Sequence, residues 1–133
     1  ADGCPDHELD EFSGYIEGIH FNLGQSVILI DSYVKLNKGA ELLKKYPGLN
    51  VIIEGHTDDT GTLEVNMELS KARAQSVKNH LTNYGIDASR ISIEAFGPTR
   101  PIADNATKEG RARNRRIEFR LLNLEEVKRS GQE

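Results

Sequence analysis

Two strand-like segments flank a long amphipathic segment between residues 49 and 96, and this pattern restricts the possible folds more than any other feature. The first strand-like segment, LNVIIEG, is short and apolar, and the second, RISIEAF, alternates apolar and polar residues. The segment between them, LEVNMELSKARAQSVKNHLTNY, has apolar residues at helical spacing, and Gly85 follows it as a C-cap. A strand, a helix and a strand in this order build a parallel pair with a right-handed crossover.

Further elements extend this unit on both sides. YIEGIHF at residues 15–21 predicts a first strand, and DSYVKLNKGAELLKKY at residues 31–46 predicts a first helix that Asp31 or Ser32 can cap. After RISIEAF, a long connection with two prolines and two glycines, GPTRPIADNATKEGRAR, leads to a fourth strand, NRRIEFRLL. Because this connection holds no full crossover helix, we expect the fourth strand to run antiparallel. The predicted fold is a small α/β protein, an α+β two-layer sandwich of order β-α-β-α-β-β with a mixed sheet and two main helices.

The length of 133 residues indicates a single domain with flexible ends. Residues 1–14 are acidic and Gly-rich, which predicts a flexible linker; residues 15–124 form the domain, and residues 125–133 are a charged tail. The single cysteine, Cys4, has no partner for an internal disulfide, which leaves a free thiol, an intermolecular bridge or lipidation. No apolar run approaches a membrane span, so we expect a membrane link only through a segment upstream of this sequence.

The charge balance argues against a nucleic-acid partner. The net charge is −4, and the chain has four Tyr, four Phe and no Trp for stacking on bases. GRARNRR at residues 110–116 carries four arginines in seven positions, but neighbouring residues alternate faces where a strand begins. We therefore expect only one of Arg115 and Arg116 to point towards any given site, and some of the other arginines to be solvated.

The predicted topology brings four separate segments to one edge of the sheet. The carboxyl ends of the first three strands meet there, and both the second helix and the fourth strand begin there. Open α/β sheets bind their ligands at this edge. The residues that leave or enter the strands at this edge are Phe21, Asn22, His56, Thr57, Asp58, Arg115 and Arg116.

One charged residue lies on the apolar face of the second helix. At about 100° per residue, Arg73 falls about 40° from Leu69, in the middle of the apolar stripe. A guanidinium there must reach solvent or find an acceptor, because an unpaired buried charge is very costly. Two hypotheses stay open: an internal salt bridge between Arg73 and Asp58 or another carboxylate, or a pocket in which Arg73 holds a ligand carboxylate. In the second case Asp58 supplies the opposite charge, and the pair suits a zwitterion.

The same residues suggest two other kinds of site, and both lack support. His56 and Asp58 are possible metal ligands, but no second cluster at ligand spacing accompanies them, so we expect no metal and no cofactor. Asp58 and Asp59 are adjacent on extended chain, so their side chains point apart. This geometry disfavours general acid/base catalysis in which both carboxylates act on one substrate atom. The chain has no nucleophile elbow, phosphate loop or Cys/His pair, and we expect no enzyme activity.

The sequence resembles the OmpA-like C-terminal domain over residues 15–122. The resemblance is carried by IHFNLGQS, VIIEGHTDDTG, NMELSKARAQSVKNHL and GIDASRISIEAFGPTRPIADNATKEGRARNRRIEF. The combination GHTD, N-x-x-LS-x-x-RA and NRR-[IV]-E-F in this order is highly specific. The family includes peptidoglycan-associated lipoproteins and stator proteins of the flagellar motor.

The resemblance implies non-catalytic binding of peptidoglycan in the periplasm of a diderm bacterium, with the full-length protein tethered to the outer membrane. By family analogy, Asp58 pairs with the ammonium of the diaminopimelate in the stem peptide, and Arg73 pairs with its carboxylate. Arg115 supports that carboxylate. The remaining pocket residues implied by the resemblance are Phe21, Asn22, Thr57, Asn66, Leu69 and Val77. The alternative is a protein–protein interaction or oligomerisation domain, for example of a motor stator or a homodimer, in which the charged pair is internal.

Overall fold

A computed structural model describes residues 14–21, 28 and 32–123, with the backbone alone for residues 14–20. The predicted linker up to residue 13, Cys4, Asn22 and the predicted tail 125–133 lie outside the described residues. Within the described ranges, no helix has the length and apolar character needed to cross a membrane.

The order of the main elements agrees with the prediction. Pro47 and Gly48 follow the first helix, whose N-cap residue is Ser32 without a capping hydrogen bond from its side chain. The elements are β1 (Gly14–His20), α1 (Tyr33–Lys45), β2 (Asn50–His56), α2 (Leu63–Asn83), a 3₁₀ turn (Ala88–Arg90), β3 (Ile91–Gly97), α3 (Lys108–Asn114) and β4 (Arg116–Leu122).

The four strands form one mixed sheet in the order β1-β4-β2-β3. β2 and β3 are parallel, as expected for strands joined by the crossover helix α2. β4 is antiparallel to both β1 and β2, so β1, β2 and β3 all run the same way. The predicted direction of every strand is therefore confirmed, and the carboxyl ends of β1, β2 and β3 meet at one edge.

Alternation along the strands separates a core face from a second face. On β2, Val51 and Ile53 are completely buried, and Ile53 lies between Ile93 of β3 and Phe119 of β4. Each such side chain contributes about 1.5–3 kcal/mol through burial of apolar surface. α1 and α2 supply the other layer of this core through Leu36, Ala40, Leu43, Ala74, Val77 and Leu81.

α2 lies unusually close to the edge of the sheet where the strands end. A Cβ atom on Gly55 would collide with the backbone carbonyl oxygen of Ser70, so only glycine allows this approach. The hydroxyl of Ser70 also accepts a hydrogen bond from the backbone N–H of Gly97 at 3.0 Å. These contacts fix the helix against both β2 and β3, and they hold Arg73, one turn further along, at the end of β2.

The long connection between β3 and β4 contains no full crossover helix, but it ends in the short helix α3, which the sequence analysis does not predict. The side chain of Thr107 caps this short helix by accepting from the backbone N–H of Gly110 at 2.9 Å. At the other end, the fully buried amide of Asn114 folds the loop onto the helix. It accepts from the N–H groups of Ile102 and Ala103 and donates to Ala103 O and Asn105 Oδ1, all at 2.7–2.9 Å.

Candidate functional site

A cavity of about 200 Å³ opens at the carboxyl end of β2. Its walls come from the loop after β2, from the first turns of α2 and from the residue that joins α3 to β4. This is the edge of the sheet at which the sequence predicts a ligand site. The lining residues are Thr57, Asp58, Thr60, Val65, Asn66, Leu69, Arg73 and Arg115.

Asp58 is the acidic group of the cavity, with 2% of its surface exposed. Its Oδ1 accepts from the backbone N–H of Thr60 at 2.9 Å, and its Oδ2 accepts from Nη1 of Arg115 at 2.7 Å. Burial alone would raise the pKa of Asp58, but the hydrogen bonds from Thr60 and Arg115 outweigh burial and lower this pKa below its ordinary value. The cavity therefore contains a fixed carboxylate at neutral pH.

Arg73 is the basic group that α2 supplies, and none of its surface is exposed. Its Nη1 donates to the backbone carbonyl of His56 at 3.1 Å, and its guanidinium lies 5.0 Å from the centre of the Phe21 ring. Burial and the nearby Arg115 lower the pKa of Arg73 to about 10, although Asp58 opposes this change. The guanidinium is still charged at neutral pH, in the wall of the same cavity as Asp58.

Arg115 contributes a second guanidinium, and its side chain is 17% exposed. Besides its ion pair with Asp58, it has a buried Nε for which the described residues offer no hydrogen-bond partner. The next residue, Arg116, instead contacts Glu118 at 2.7 Å and donates to the carbonyl of Arg100 at 2.9 Å. The side chain of Arg115 thus lies at the cavity and that of Arg116 lies beside Glu118, as the alternation at the start of the strand predicts.

The other predicted site residues fall into three groups. Thr57, Asn66 and Leu69 line the cavity; Asn66 donates to the carbonyl of Thr60 at 3.0 Å and so fixes the loop after β2. Phe21 lies beside Arg73 without lining the cavity, and Val77 is fully buried in the core. Asn22 is outside the described residues.

Sequence reasoning did not select two residues that line the cavity, Thr60 and Val65. Val65 is 61% exposed, and its position in the first turn of α2, three residues after the N-cap Thr62, could have identified it. Thr60 contributes mainly through its backbone N–H, and the sequence gives no signal for that bond.

The geometry suits recognition of charge better than catalysis. Asp58 is buried in the cavity wall, whereas its neighbour Asp59 is exposed, so the adjacent carboxylates do not face one atom. The ring of His56 stacks on Phe96, with the ring centres 5.3 Å apart, and lies close to Glu54 and Glu118. One carboxylate and two guanidiniums at a single cavity can bind a ligand with both an ammonium and a carboxylate group.

Comparison with known proteins shows the relatives of this chain. The model of the OmpA family matches residues 20–115. The chain is 40% identical to outer membrane porin F of Pseudomonas aeruginosa over 119 residues, which cover 89% of this chain and 33% of the porin. It is 44% identical to the peptidoglycan-binding protein ArfA of Mycobacterium tuberculosis over 98 residues, which cover 74% of this chain and 30% of ArfA. The chain therefore spans about a third of the length of these relatives. Neither relative has a name that describes an enzyme.

A solved structure agrees with the match to the OmpA family model. The peptidoglycan-associated lipoprotein from Burkholderia pseudomallei superimposes with a TM-score of 0.75 at 26% sequence identity. The match covers 77% of this chain and 87% of that one, so nearly the whole lipoprotein domain has a counterpart here.

Proposed function

Because the chain belongs to the OmpA family, we propose that it binds peptidoglycan without catalysis, through the diaminopimelate of the stem peptide. The observation that carries this proposal is the presence of Asp58 and Arg73 in the wall of one small cavity. The relatives add support, since ArfA is a peptidoglycan-binding protein and the structural neighbour is a peptidoglycan-associated lipoprotein. The proposed location is the periplasm, with the domain anchoring an outer-membrane or envelope protein to the wall.

Each charged group of the cavity has a partner in the free amino acid end of diaminopimelate. The ammonium pairs with Asp58, and the carboxylate pairs with Arg73 and Arg115. Charge-assisted hydrogen bonds of this kind contribute roughly 1.5–3 kcal/mol each. Two or three of them correspond to dissociation constants on the order of micromolar to millimolar. Wall anchoring works with such weak sites because the wall repeats its stem peptides and many copies of the protein act together.

The cavity is small for a ligand site, at about 200 Å³. Ligand pockets for larger molecules measure about 300–1,000 Å³. One zwitterionic carbon with its two charged groups fits this space, while the rest of the stem peptide and the glycan lie outside.

The ion pair between Asp58 and Arg115 has a consequence for binding. At 2.7 Å the guanidinium occupies one oxygen of Asp58, so a ligand ammonium competes with Arg115 for that carboxylate. The Nε of Arg115, which has no hydrogen-bond partner among the described residues, is at the same time a donor for the ligand carboxylate. Binding therefore shifts Arg115 from the protein carboxylate towards the carboxylate of the ligand.

The same ion pair supports a second candidate function. If Asp58 and Arg115 remain paired, the edge of the sheet serves as a protein–protein interface, including one between two copies of the chain. A titration with free diaminopimelate separates the two functions. Backbone amide signals of residues 56–60 and of the first half of α2 move under the peptidoglycan proposal, and they stay in place under the alternative.

Pull-down with purified peptidoglycan sacculi tests the site directly. Asp58→Ala and Arg73→Ala lose retention on the sacculi, while Asp59→Ala, a carboxylate removed from the exposed neighbouring position, retains it. Circular dichroism spectra verify that each variant is folded. Retention of both folded site variants at the wild-type level contradicts the assignment of Asp58 and Arg73.

The chemistry of the wall gives a test without any mutation. Lysine-type and amidated peptidoglycan bind more weakly than the diaminopimelate type, because the carboxylate that Arg73 requires is missing or neutral. Equal retention on the different walls contradicts recognition of a zwitterion. Incubation with sacculi releases no soluble muropeptides, since the proposal includes no hydrolysis.

A further inference from the structure

A row of carboxylates crosses the sheet on the face opposite the core. The strand register places Glu54 of β2 directly between Glu94 of β3 and Glu118 of β4. Like charges that face each other across neighbouring strands destabilise a sheet, so such a row needs cations. Arg120 contacts Glu54 at 3.1 Å and Glu94 at 3.2 Å, and Arg116 contacts Glu118 at 2.7 Å. Three carboxylates thus share two arginines within this row.

A buried histidine adjoins the row. His56 lies two residues after Glu54 on the same strand face and is 1% exposed. Neither ring nitrogen, Nδ1 nor Nε2, has a hydrogen-bond partner in the part of the chain that the structure describes. Nε2 is 4.0 Å from Oε1 of Glu54, which is too long for a hydrogen bond. Buried ring nitrogens without partners are rare in folded proteins, and they require a physical explanation.

We propose that Glu54, His56 and Glu118 form a binding site for a divalent transition-metal ion of the Zn²⁺ class. The three ligand atoms lie within 4.8 Å of one another. Zinc binds imidazole nitrogen and carboxylate oxygen at about 2.0–2.2 Å, so the side chains close in by roughly 1 Å around the ion. Three protein ligands leave a fourth position for water.

The arginines leave room for the ion. Both contacts of Arg116 use Oε2 of Glu118, and the contact of Arg120 uses Oε2 of Glu54. On Glu54, Oε1 is the oxygen that faces Nε2 of His56. Arg120 is more than half exposed, and it can turn into solvent as the positive charge arrives.

The ligand set indicates the class of ion. The imidazole favours zinc-like ions over Mg²⁺ and Ca²⁺, which prefer oxygen ligands alone.

Isothermal titration calorimetry of the full chain with Zn²⁺ alone tests the proposal. Co²⁺ serves as a second probe, because its absorption spectrum reports the ligands that bind it. We expect one ion per chain. Glu118→Gln weakens binding at least about tenfold, as removal of a ligand should. The matched control Glu94→Gln removes a carboxylate from the same row outside the three ligands, and it changes binding by less than about threefold. All titrations are repeated in a Cys4→Ser background, because a thiolate also binds zinc.

A measurement on the wild-type chain makes the test independent of whether Glu118→Gln folds. In ¹⁵N-labelled protein, Zn²⁺ shifts the ring nitrogen signals of His56 and leaves those of His80 in place. The absence of any bound ion, equal binding by the folded Glu118→Gln variant, binding that disappears with Cys4, or an unchanged His56 ring each overturns the metal site.

Discussion

Replacement of Arg73 by lysine separates the role of the guanidinium fork from that of its charge. Arg73 is fully buried, donates to the carbonyl of His56 at 3.1 Å and lines the cavity, so its fork can serve the protein and a ligand at once. A lysine ammonium is a compact point charge on a flexible stem, and it cannot reproduce either contact of the planar fork in that geometry. Loss of one charge-assisted hydrogen bond of about 1.5–3 kcal/mol weakens diaminopimelate binding by roughly 10- to 150-fold.

The same substitution also affects the fold. The carbonyl of His56 loses its donor, which lowers the free energy of unfolding by about 1–3 kcal/mol. Chemical-shift titration with diaminopimelate gives the dissociation constant, and urea unfolding gives the stability. Arg113→Lys, the same change at an exposed position of α3, is the matched control and alters neither quantity. An Arg73→Lys protein that binds diaminopimelate within about twofold of the wild type refutes the argument that the fork is required.

Three further substitutions test the scaffold. Gly55→Ala lowers the free energy of unfolding by about 1–3 kcal/mol, because its Cβ meets the carbonyl of Ser70, and an unchanged urea midpoint contradicts this close approach. Asn114→Ala removes four hydrogen bonds to residues 102–105, so we expect a loss of at least about 2 kcal/mol and faster proteolysis of that loop; wild-type cleavage rates contradict this. Burial lowers the pKa of His80, so the unfolded chain takes up the proton first and stability falls as the pH drops below about 6.5. His80→Gln reduces this pH dependence of the melting temperature without abolishing it, because burial also lowers the pKa of His56, to about 3, and so acts in the same direction. An unchanged slope contradicts the contribution of His80.

Much of the fold follows from local sequence signals. The apolar periods, the turn residues and the rule for crossovers predict the order of the elements and the direction of each strand, because these depend on short-range physics. α3 is different. It has only seven residues, and its stability comes from the Thr107 cap and from the bonds of Asn114 to a distant part of the loop. A helix that short has no apolar period for a sequence pattern to detect.

The candidate site was also only partly predictable from local sequence signals. The helical phase of α2 identifies Arg73 as a candidate, and the predicted topology identifies Asp58. A charge on an apolar face and a polar residue at the end of a strand are both visible in sequence. The partner of Asp58 in this structure is Arg115, which comes from the far end of the chain. Sequence reasoning left open a bridge from Arg73 to Asp58 or another carboxylate beside a ligand pocket, because the sequence provides no distance across the cavity. The carboxylate row around Glu54 depends on strand register, and the sequence does not reveal that register before the strand order is known.

The end of β2 lies between the cavity and the carboxylate row. The carbonyl of His56 accepts from Arg73 on the cavity side, while the ring of the same residue lies among the carboxylates on the opposite face. Asp58 follows two residues later, and the N–H of Thr60 fixes its carboxylate. Asp58 and Arg73 are therefore both held by backbone contacts of a single short segment. Under the proposed function, a ligand meets this preorganised pair and loses little binding energy to ordering the protein. The affinity that we propose then depends mainly on how readily Arg115 releases Asp58, and a change in the position of the His56 peptide alters the placement of Arg73 directly.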